Sequence, residues 1–289
     1  MPIKIAATKG LSREEWLQLR KKGIGGSDAG AVCGVNPYRS AFSVYVDKLK
    51  EETETEDSER LRQGKDFEDY VAKRFSESTG LKVHRTNYLY SHDEYPWMLA
   101  DVDRVIANES AGLECKTVSV WSADKWKSAE RIPESYYLQC QHYMAVMEWD
   151  YMYLAGLILG TDFVYYRIDR NEEIIQSLIK IEKEFWQNNV LAGVIPDPDG
   201  SKAYDDMLGS HFSARKEASI PLIGFDQDLK RRSELSGLLA KMETEKKMID
   251  QKLKLFLGEN EVAENDHYKV SWKLSESTGQ RRFSVREVA

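Results

Sequence analysis

In the stretch LADVDRVIANESAGLECKT, residues 99–117, carboxylates and an ammonium recur at spacings that suit one kind of reaction. Glu114 and Lys116 stand two apart in a segment that alternates as a strand does, so both project to one face while Cys115 points to the other. Asp103 precedes them across Asn108 to Gly112, which reads as a hairpin turn and would bring its carboxylate alongside. Two carboxylates held close together bind a hard divalent cation such as Mg²⁺ or Mn²⁺, and an adjacent ammonium can orient or deprotonate a water against a phosphodiester. The chemistry indicated is metal-assisted phosphodiester hydrolysis. Taken alone, the same string also fits an exposed hairpin face. Asp101, two residues before Asp103 and on the same strand face, is a competing ligand.

The elements around this hairpin alternate in kind. Ser12 followed by Glu15 has capping-box spacing and opens a helix to about Lys22. Gly23, Gly25 and Gly26 then precede Ser27 and Asp28, both good N-caps for a small-residue helix that stops at Asn36-Pro37. Further helices are expected over 41–50, 61–78, ended by Gly80, 133–146 and 171–190. Strands are expected over 82–89, 98–107, 113–118, 151–159 and 163–168, a mixed sheet flanked by helices. The segment 51–59 reads as an acidic surface loop. After Pro198 a polar stretch runs to Ser219. Residues 226–257 then read as a helical hairpin or coiled-coil arm with a solvated Lys/Glu face, and 267–274 with 280–288 as a short strand pair. The division expected is 1–212 and 213–289.

The 289 residues carry 41 Lys+Arg against 48 Asp+Glu, and 42% are hydrophobic, which excludes disorder as the main state. A net charge of −7 argues against a histone-like coat but not against a local basic cleft, for which Arg20-Lys21-Lys22 is the candidate. No apolar run suits a membrane span or a secretory leader, so a cytoplasmic protein is expected. Cys33, Cys115 and Cys140 form neither a disulfide framework nor a CxxC zinc motif and read as free thiols. His142 reads as a packed or hydrogen-bonded histidine rather than a ligand. Trp97, Trp121, Trp126, Tyr136 and Tyr137 read as core rather than as base-stacking platforms.

Three other strings join the hairpin in a fixed order: WLQLRKKGIGGSDAG near the start, GKDFE with Glu68 on the helix before the sheet, and YYLQCQ with Gln139 on the helix after it. In order and spacing, residues 12–200 resemble the phage lambda exonuclease and YqaJ-like viral recombinase family, a branch of the PD-(D/E)xK nucleases. The resemblance implies a restriction-endonuclease-like α/β fold. It makes Asp103 and Glu114 the metal-binding acids, with the Cys115 backbone carbonyl completing the ligand set and Glu68 an additional acid for a second metal. Lys116 would activate the water, Gln139 would bond that water or a phosphate, and Arg20 with Ser27 would hold the 5′-phosphate of a DNA end. Val102 and Arg104 depart from the family's proline and glycine around the aspartate. Arg104 would meet DNA or pair with an acid. The activity implied is Mg²⁺- or Mn²⁺-dependent digestion of linear duplex DNA from the 5′ end, leaving 3′ overhangs for a single-strand annealing protein. A homo-oligomer around double-stranded DNA ends in a bacterial host cytoplasm is implied too. An endonuclease with the same site and a catalytically silent DNA-binding recombination protein are the competing readings. The joint presence of Glu68, Asp103, Glu114 and Lys116 argues against the silent one.

Overall fold

In the computed structural model, which describes residues 1–50, 58–214 and 219–288, Ser12 caps the first helix as its spacing to Glu15 requires. Its Oγ accepts the Glu15 N–H at 3.2 Å while the Glu15 carboxylate accepts the Ser12 N–H at 2.8 Å. Residues 51–57 of the expected acidic loop and 215–218 of the polar stretch lie outside the described residues. The chain divides into two compact units, Met1–Ala214 and Arg215–Ala289.

The first unit begins with β1 (Ile3–Ala7), α1 (Arg13–Arg20), β2 (Ile24–Gly25), α2 (Gly26–Val32), α3 (Ala41–Leu49) and α4 (Glu59–Thr79). It continues with β3 (Val83–His84), β4 (Tyr88–Ser91), β5 (Met98–Ala100), β6 (Arg104–Ile106), β7 (Ala111–Val118) and α5 (Glu134–Met147). Then come β8 (Tyr151–Ile158), β9 (Asp162–Asp169), α6 (Glu172–Phe185) and α7 (Lys202–His211). The main sheet has the order β3-β6-β7-β8-β9, with β7 antiparallel to β6 and parallel to β8. A parallel neighbour demands a crossover, which α5 supplies. On one face of this sheet α4 buries Val71, Ala72 and Phe75 against Leu113 and Ala155. In the core that includes α5, Cys140, Met144 and Val146 pack with Met152 and Leu154. The expected mixed sheet between helices is therefore present.

Two expected strands are each divided. Residues 82–89 break at Asn87, whose φ is +56°, into β3 and β4, and residues 98–107 break at Asp101–Asp103 into β5 and β6. Members of each pair belong to different sheets, since β4 and β5 lie in a second sheet of order β1-β4-β5-β2. The helix expected over 171–190 is α6 followed by a π turn over Trp186–Leu191. The polar stretch also hides α7, capped by Ser201 and anchored by buried Tyr204, whose hydroxyl donates to the Pro196 carbonyl at 2.7 Å.

The second unit consists of α8 (Asp226–Leu257), β10 (Val262–Glu264), β11 (Tyr268–Leu274) and β12 (Arg281–Glu287). Of the hairpin and the helical arm expected here, the structure has the arm: one continuous helix, α8. The expected strand pair is a three-stranded sheet of order β10-β11-β12, because Val262–Glu264 pairs with Ser271–Lys269 in a run too short to show alternation in sequence. Among the described residues no helix is long and apolar enough to cross a membrane, and all three cysteines are free.

Candidate active site

β7 presents Glu114 and Lys116 on the face where α5 supplies Gln139. Lys116 Nζ donates to Glu114 Oε1 at 2.6 Å and to Gln139 Oε1 at 2.9 Å. Gln139 Nε2 donates to the same Glu114 oxygen at 2.7 Å, so three side chains close a ring of hydrogen bonds. The ammonium also sits 4.7 Å from the centre of the Tyr136 ring. Burial would lower the Lys116 pKa, but the charges of Glu114 and Asp103 outweigh it and hold the ammonium protonated. Burial raises the Glu114 carboxyl above its ordinary range, with Lys116 offsetting only part of the effect.

Asp103 lies in the break between β5 and β6, not within one strand. Pairing of β6 with β7 stops at Arg104 and Leu113, and beyond it Asp103 Oδ2 accepts the Cys115 backbone N–H at 2.8 Å. A carboxylate thus occupies the place of a ladder carbonyl, which is the physical reason the strand is interrupted. The N–H and C=O of one strand residue point to the same side, so the Cys115 carbonyl opens toward Asp103. Loss of solvent, reinforced by the charges of Glu114 and Glu68, holds the Asp103 carboxyl well above its usual range. Asp101, the competing ligand, is engaged elsewhere: its Oδ2 accepts the Trp16 indole N–H at 2.7 Å.

Glu68 on α4 is near enough for its charge to raise both carboxyls, yet its Oε1 accepts from Arg85 at 3.1 Å and from Arg104. Arg104 also bonds Asp69, so of its two expected fates it takes the pairing with an acid. Among the described residues no three His, Cys, Asp or Glu side chains form a ready cation cage. The donor set nevertheless fits one hard cation: Glu114 Oε2 is buried without a hydrogen-bond partner and stands near a second carboxylate of raised pKa, with the Cys115 carbonyl directed to the Asp103 side of the strand. An orphaned carboxylate oxygen in a dry site is costly unless a cation or proton satisfies it. Asp103, Glu114 and the Cys115 carbonyl would hold that ion, with Glu68 available only on release from its arginines.

The Arg20 and Ser27 pair is assembled. Arg20 Nη2 donates to Ser27 Oγ at 2.6 Å. Contrary to expectation, Ser27 and Asp28 are not N-caps but the second and third residues of α2. Ile24–Gly25 pairs with Met98–Leu99, which keeps the chain extended through Gly25 and makes Gly25 the cap. A Cβ on Gly25 would lie 3.2 Å from Arg20 Nη2, so the glycine lets the guanidinium rest against the backbone. Trp16, one turn before Arg20, stacks under the guanidiniums of Arg13 and Arg20 at 4.5 and 4.8 Å while bonding Asp101. Tyr143 hydroxyl donates to the Asp101 carbonyl at 3.2 Å. The Tyr143 hydroxyl also accepts from Gln139 Nε2 at 3.4 Å, so contacts run continuously from Arg20 through Trp16, Asp101 and Tyr143 to the Glu114 side.

Sequence reasoning passed over Trp16, Tyr143 and Lys48, whose ammonium on α3 donates to the Arg20 carbonyl at 3.0 Å. Only Trp16 left a signal, in the i, i+3, i+7 spacing of Arg13, Trp16 and Arg20 on one helix face. His142 is packed as expected, its ring nitrogens 2.9 Å from Glu182 Oε1 and 3.0 Å from the Leu99 carbonyl. Trp97, Trp126, Tyr136 and Tyr137 belong to a core cluster, whereas Trp121 is 94% exposed, contrary to its reading as core.

A family model described as the YqaJ-like viral recombinase domain matches residues 15–150. The uncharacterized protein YqaJ of Bacillus subtilis (strain 168) is 35% identical over 312 residues, spanning 99% of this chain and 98% of that protein. The fold is similar to that of the alkaline exonuclease LHK-Exo from Laribacter hongkongensis, with a TM-score of 0.55 at 16% identity, covering 69% of this chain and 100% of that one. The LHK-Exo complex with dAMP gives a TM-score of 0.54 at 17% identity, with the same coverage. Near-complete coverage at such identity settles ancestry: the chain belongs to the YqaJ-like viral recombinase family.

Proposed function

We propose that the chain is a divalent-metal-dependent deoxyribonuclease that digests linear duplex DNA from a 5′ end and leaves 3′ single-stranded overhangs. The observation that carries this reading is the convergence of Asp103, Glu114, Lys116 and Gln139 around an unpartnered buried carboxylate oxygen, next to a pocket where Arg20 meets Ser27. When bound, Mg²⁺ or Mn²⁺ would supply Lewis acidity and a more acidic water. The side chains do the rest. Lys116, kept charged by its carboxylate neighbours, orients the attacking water and steadies negative charge developing on the phosphate. Gln139 holds the Lys116 ammonium and the Glu114 oxygen together by accepting from the one and donating to the other. Arg20 offers a planar guanidinium to a terminal phosphate, with the Ser27 hydroxyl beside it.

An end-recognising pocket favours an exonuclease over an endonuclease with the same acids. The overhang calls for an annealing protein, and a strand-tracking activity for an oligomer that encloses the duplex in the host cytoplasm. The test is a digestion series with Mg²⁺ or EDTA on 5′-phosphorylated linear, 5′-hydroxyl linear and covalently closed circular duplex. Fastest loss of the phosphorylated duplex, survival of circles and no digestion in EDTA are expected. Cleavage of circles would turn the reading to an endonuclease, and no cleavage of any substrate to a DNA-binding recombination protein.

A further inference from the structure

Behind Arg20 and Ser27 lies a carboxylate that the chemistry above does not use. Asp28 is 1% exposed and faces three cations: Lys48 Nζ at 2.7 Å, Arg39 Nη1 at 2.7 Å and Arg20 Nη2 at 3.4 Å. Its Oδ2 also accepts the Gly25 N–H at 3.1 Å, which caps the helix bearing Ser27. Lys48, itself 5% exposed, donates a second bond to the Arg20 backbone carbonyl at 3.0 Å. One carboxylate therefore fixes both halves of the pocket. It holds Arg20 by its guanidinium and, through Lys48, by its backbone, and it holds Ser27 through the start of α2. Burial alone would raise the Asp28 carboxyl, but Lys48, Arg20 and Arg39 keep it well below the ordinary range, so it stays ionised.

The cations are layered outward. Among the described residues Arg20, Arg39 and Lys48 form ion pairs with Asp28 and, on the Arg39 side, with Asp47, and the charge of Arg20 also reaches Asp101. The buried members are Asp28 and Lys48, whereas the Arg20 and Arg39 side chains keep 24% and 30% of their surface in contact with solvent. An anion arriving from solvent meets the guanidiniums first, with the carboxylate behind them.

We propose that Asp28, with Lys48 as its inner counter-ion, is a positioning residue that holds Arg20 and Ser27 in the geometry that selects a 5′-terminal phosphate monoester. This rests on the 5′-end reading above and adds what sets the selectivity. It also makes a prediction opposite in sign to simple charge counting. Were Asp28 merely a competing anion, neutralising it would strengthen phosphate binding; as a positioning residue, neutralising it weakens discrimination.

The experiment compares digestion of 5′-phosphorylated and 5′-hydroxyl versions of one linear duplex by wild type, Arg20→Ala, Asp28→Asn and the double variant Asp28→Asn/Lys48→Met. The double variant removes both buried charges and keeps the test open should Asp28→Asn fail to fold with Lys48 unpaired. The quantity read is the ratio of kcat/KM for the two ends. Losing a charged hydrogen-bond partner that orders Arg20 should cut the ratio by about tenfold or more. The loss should fall mainly on KM for the phosphorylated duplex, whereas a general loss of structure would lower both substrates together. A ratio kept or increased in the Asp28 variants, while Arg20→Ala abolishes it, overturns the role of Asp28 alone. A wild type indifferent to the 5′ group overturns the 5′-phosphate reading of Arg20 first, and this inference with it.

Discussion

Replacing Lys116 by Met takes an ammonium, 20% exposed, away from the Glu114 side chain, which is 4% exposed. Met retains much of the aliphatic stem, so the perturbation is the charge and its two donated bonds. Glu114 Oε1 would keep only the Gln139 amide, and Oε2 has no partner to begin with. Removing one member of a buried pair costs about 3–5 kcal/mol when the surviving charge stays ionised. Glu114 has an escape, because burial already raises its pKa and losing Lys116 raises it further, so it takes up a proton; each pKa unit is worth about 1.4 kcal/mol. The penalty is therefore larger near pH 8 than near pH 5. At roughly 2–4 °C per kcal/mol for a unit of this size, the metal-free variant should melt about 6–20 °C below wild type near pH 8, and closer to it near pH 5. Turnover is a separate loss, on the order of 10²-fold or more in kcat for one preorganised charge, with DNA binding largely retained. Calorimetric melts at the two pH values and initial digestion rates at saturating duplex read both effects. A melting point equal to wild type at the higher pH would refute the buried counter-charge argument. Turnover within a few-fold of wild type would refute the catalytic one.

Other consequences follow from the same electrostatics. Asp103 and Glu114 have folded pKa values above their unfolded ones, so the folded state binds the extra protons. Metal-free stability is then fully present below the ordinary carboxylate range of about 4 and is lost as pH rises through the raised values. Mg²⁺ should accordingly raise the melting temperature more near pH 8 than near pH 5, and an equal increment at both would contradict the ligand assignment. His142, raised by Glu182 against the effect of burial, likewise gives stability present below about pH 6.5 and lost as pH rises through its folded pKa, with no dependence on Mg²⁺. His142→Ala strands Glu182, which is 0% exposed, and should cost about 3–5 kcal/mol by denaturant titration, whereas the paired change His142→Leu/Glu182→Leu should cost less.

The parts of the site that follow the period of a strand or a helix were legible in sequence. Glu114 and Lys116 share a face because they are two apart, and Ser12 with Glu15 marked the start of α1. What was hidden depends on contacts across the chain. The apolar run through Leu99, Ala100, Val102 and Ile106 looks like one strand, yet the Asp103 side chain captures the Cys115 N–H and splits it between two sheets. Asp28 reads locally as a cap, and it does satisfy Gly25; nothing nearby announces Lys48, 20 residues further on. Trp121, expected in the core, lies in a 3₁₀ segment after β7 where the turn carries its ring outward. α7 escaped notice because one buried residue, Tyr204, anchors an otherwise polar helix.

The central claim is that Asp103 and Glu114 together hold the divalent cation on which hydrolysis depends. Asp103→Asn tests it most directly, since an amide oxygen can still accept the Cys115 N–H and preserve the strand break while the anionic ligand is lost. Mn²⁺ titration by calorimetry and digestion of 5′-phosphorylated duplex should be measured on the same preparation, with Asp101→Asn beside it. Loss of both Mn²⁺ binding and digestion in Asp103→Asn, with Asp101→Asn still binding the ion, is the expected result. Wild-type Mn²⁺ affinity and turnover in Asp103→Asn would contradict the assignment and return the ligand role to Asp101.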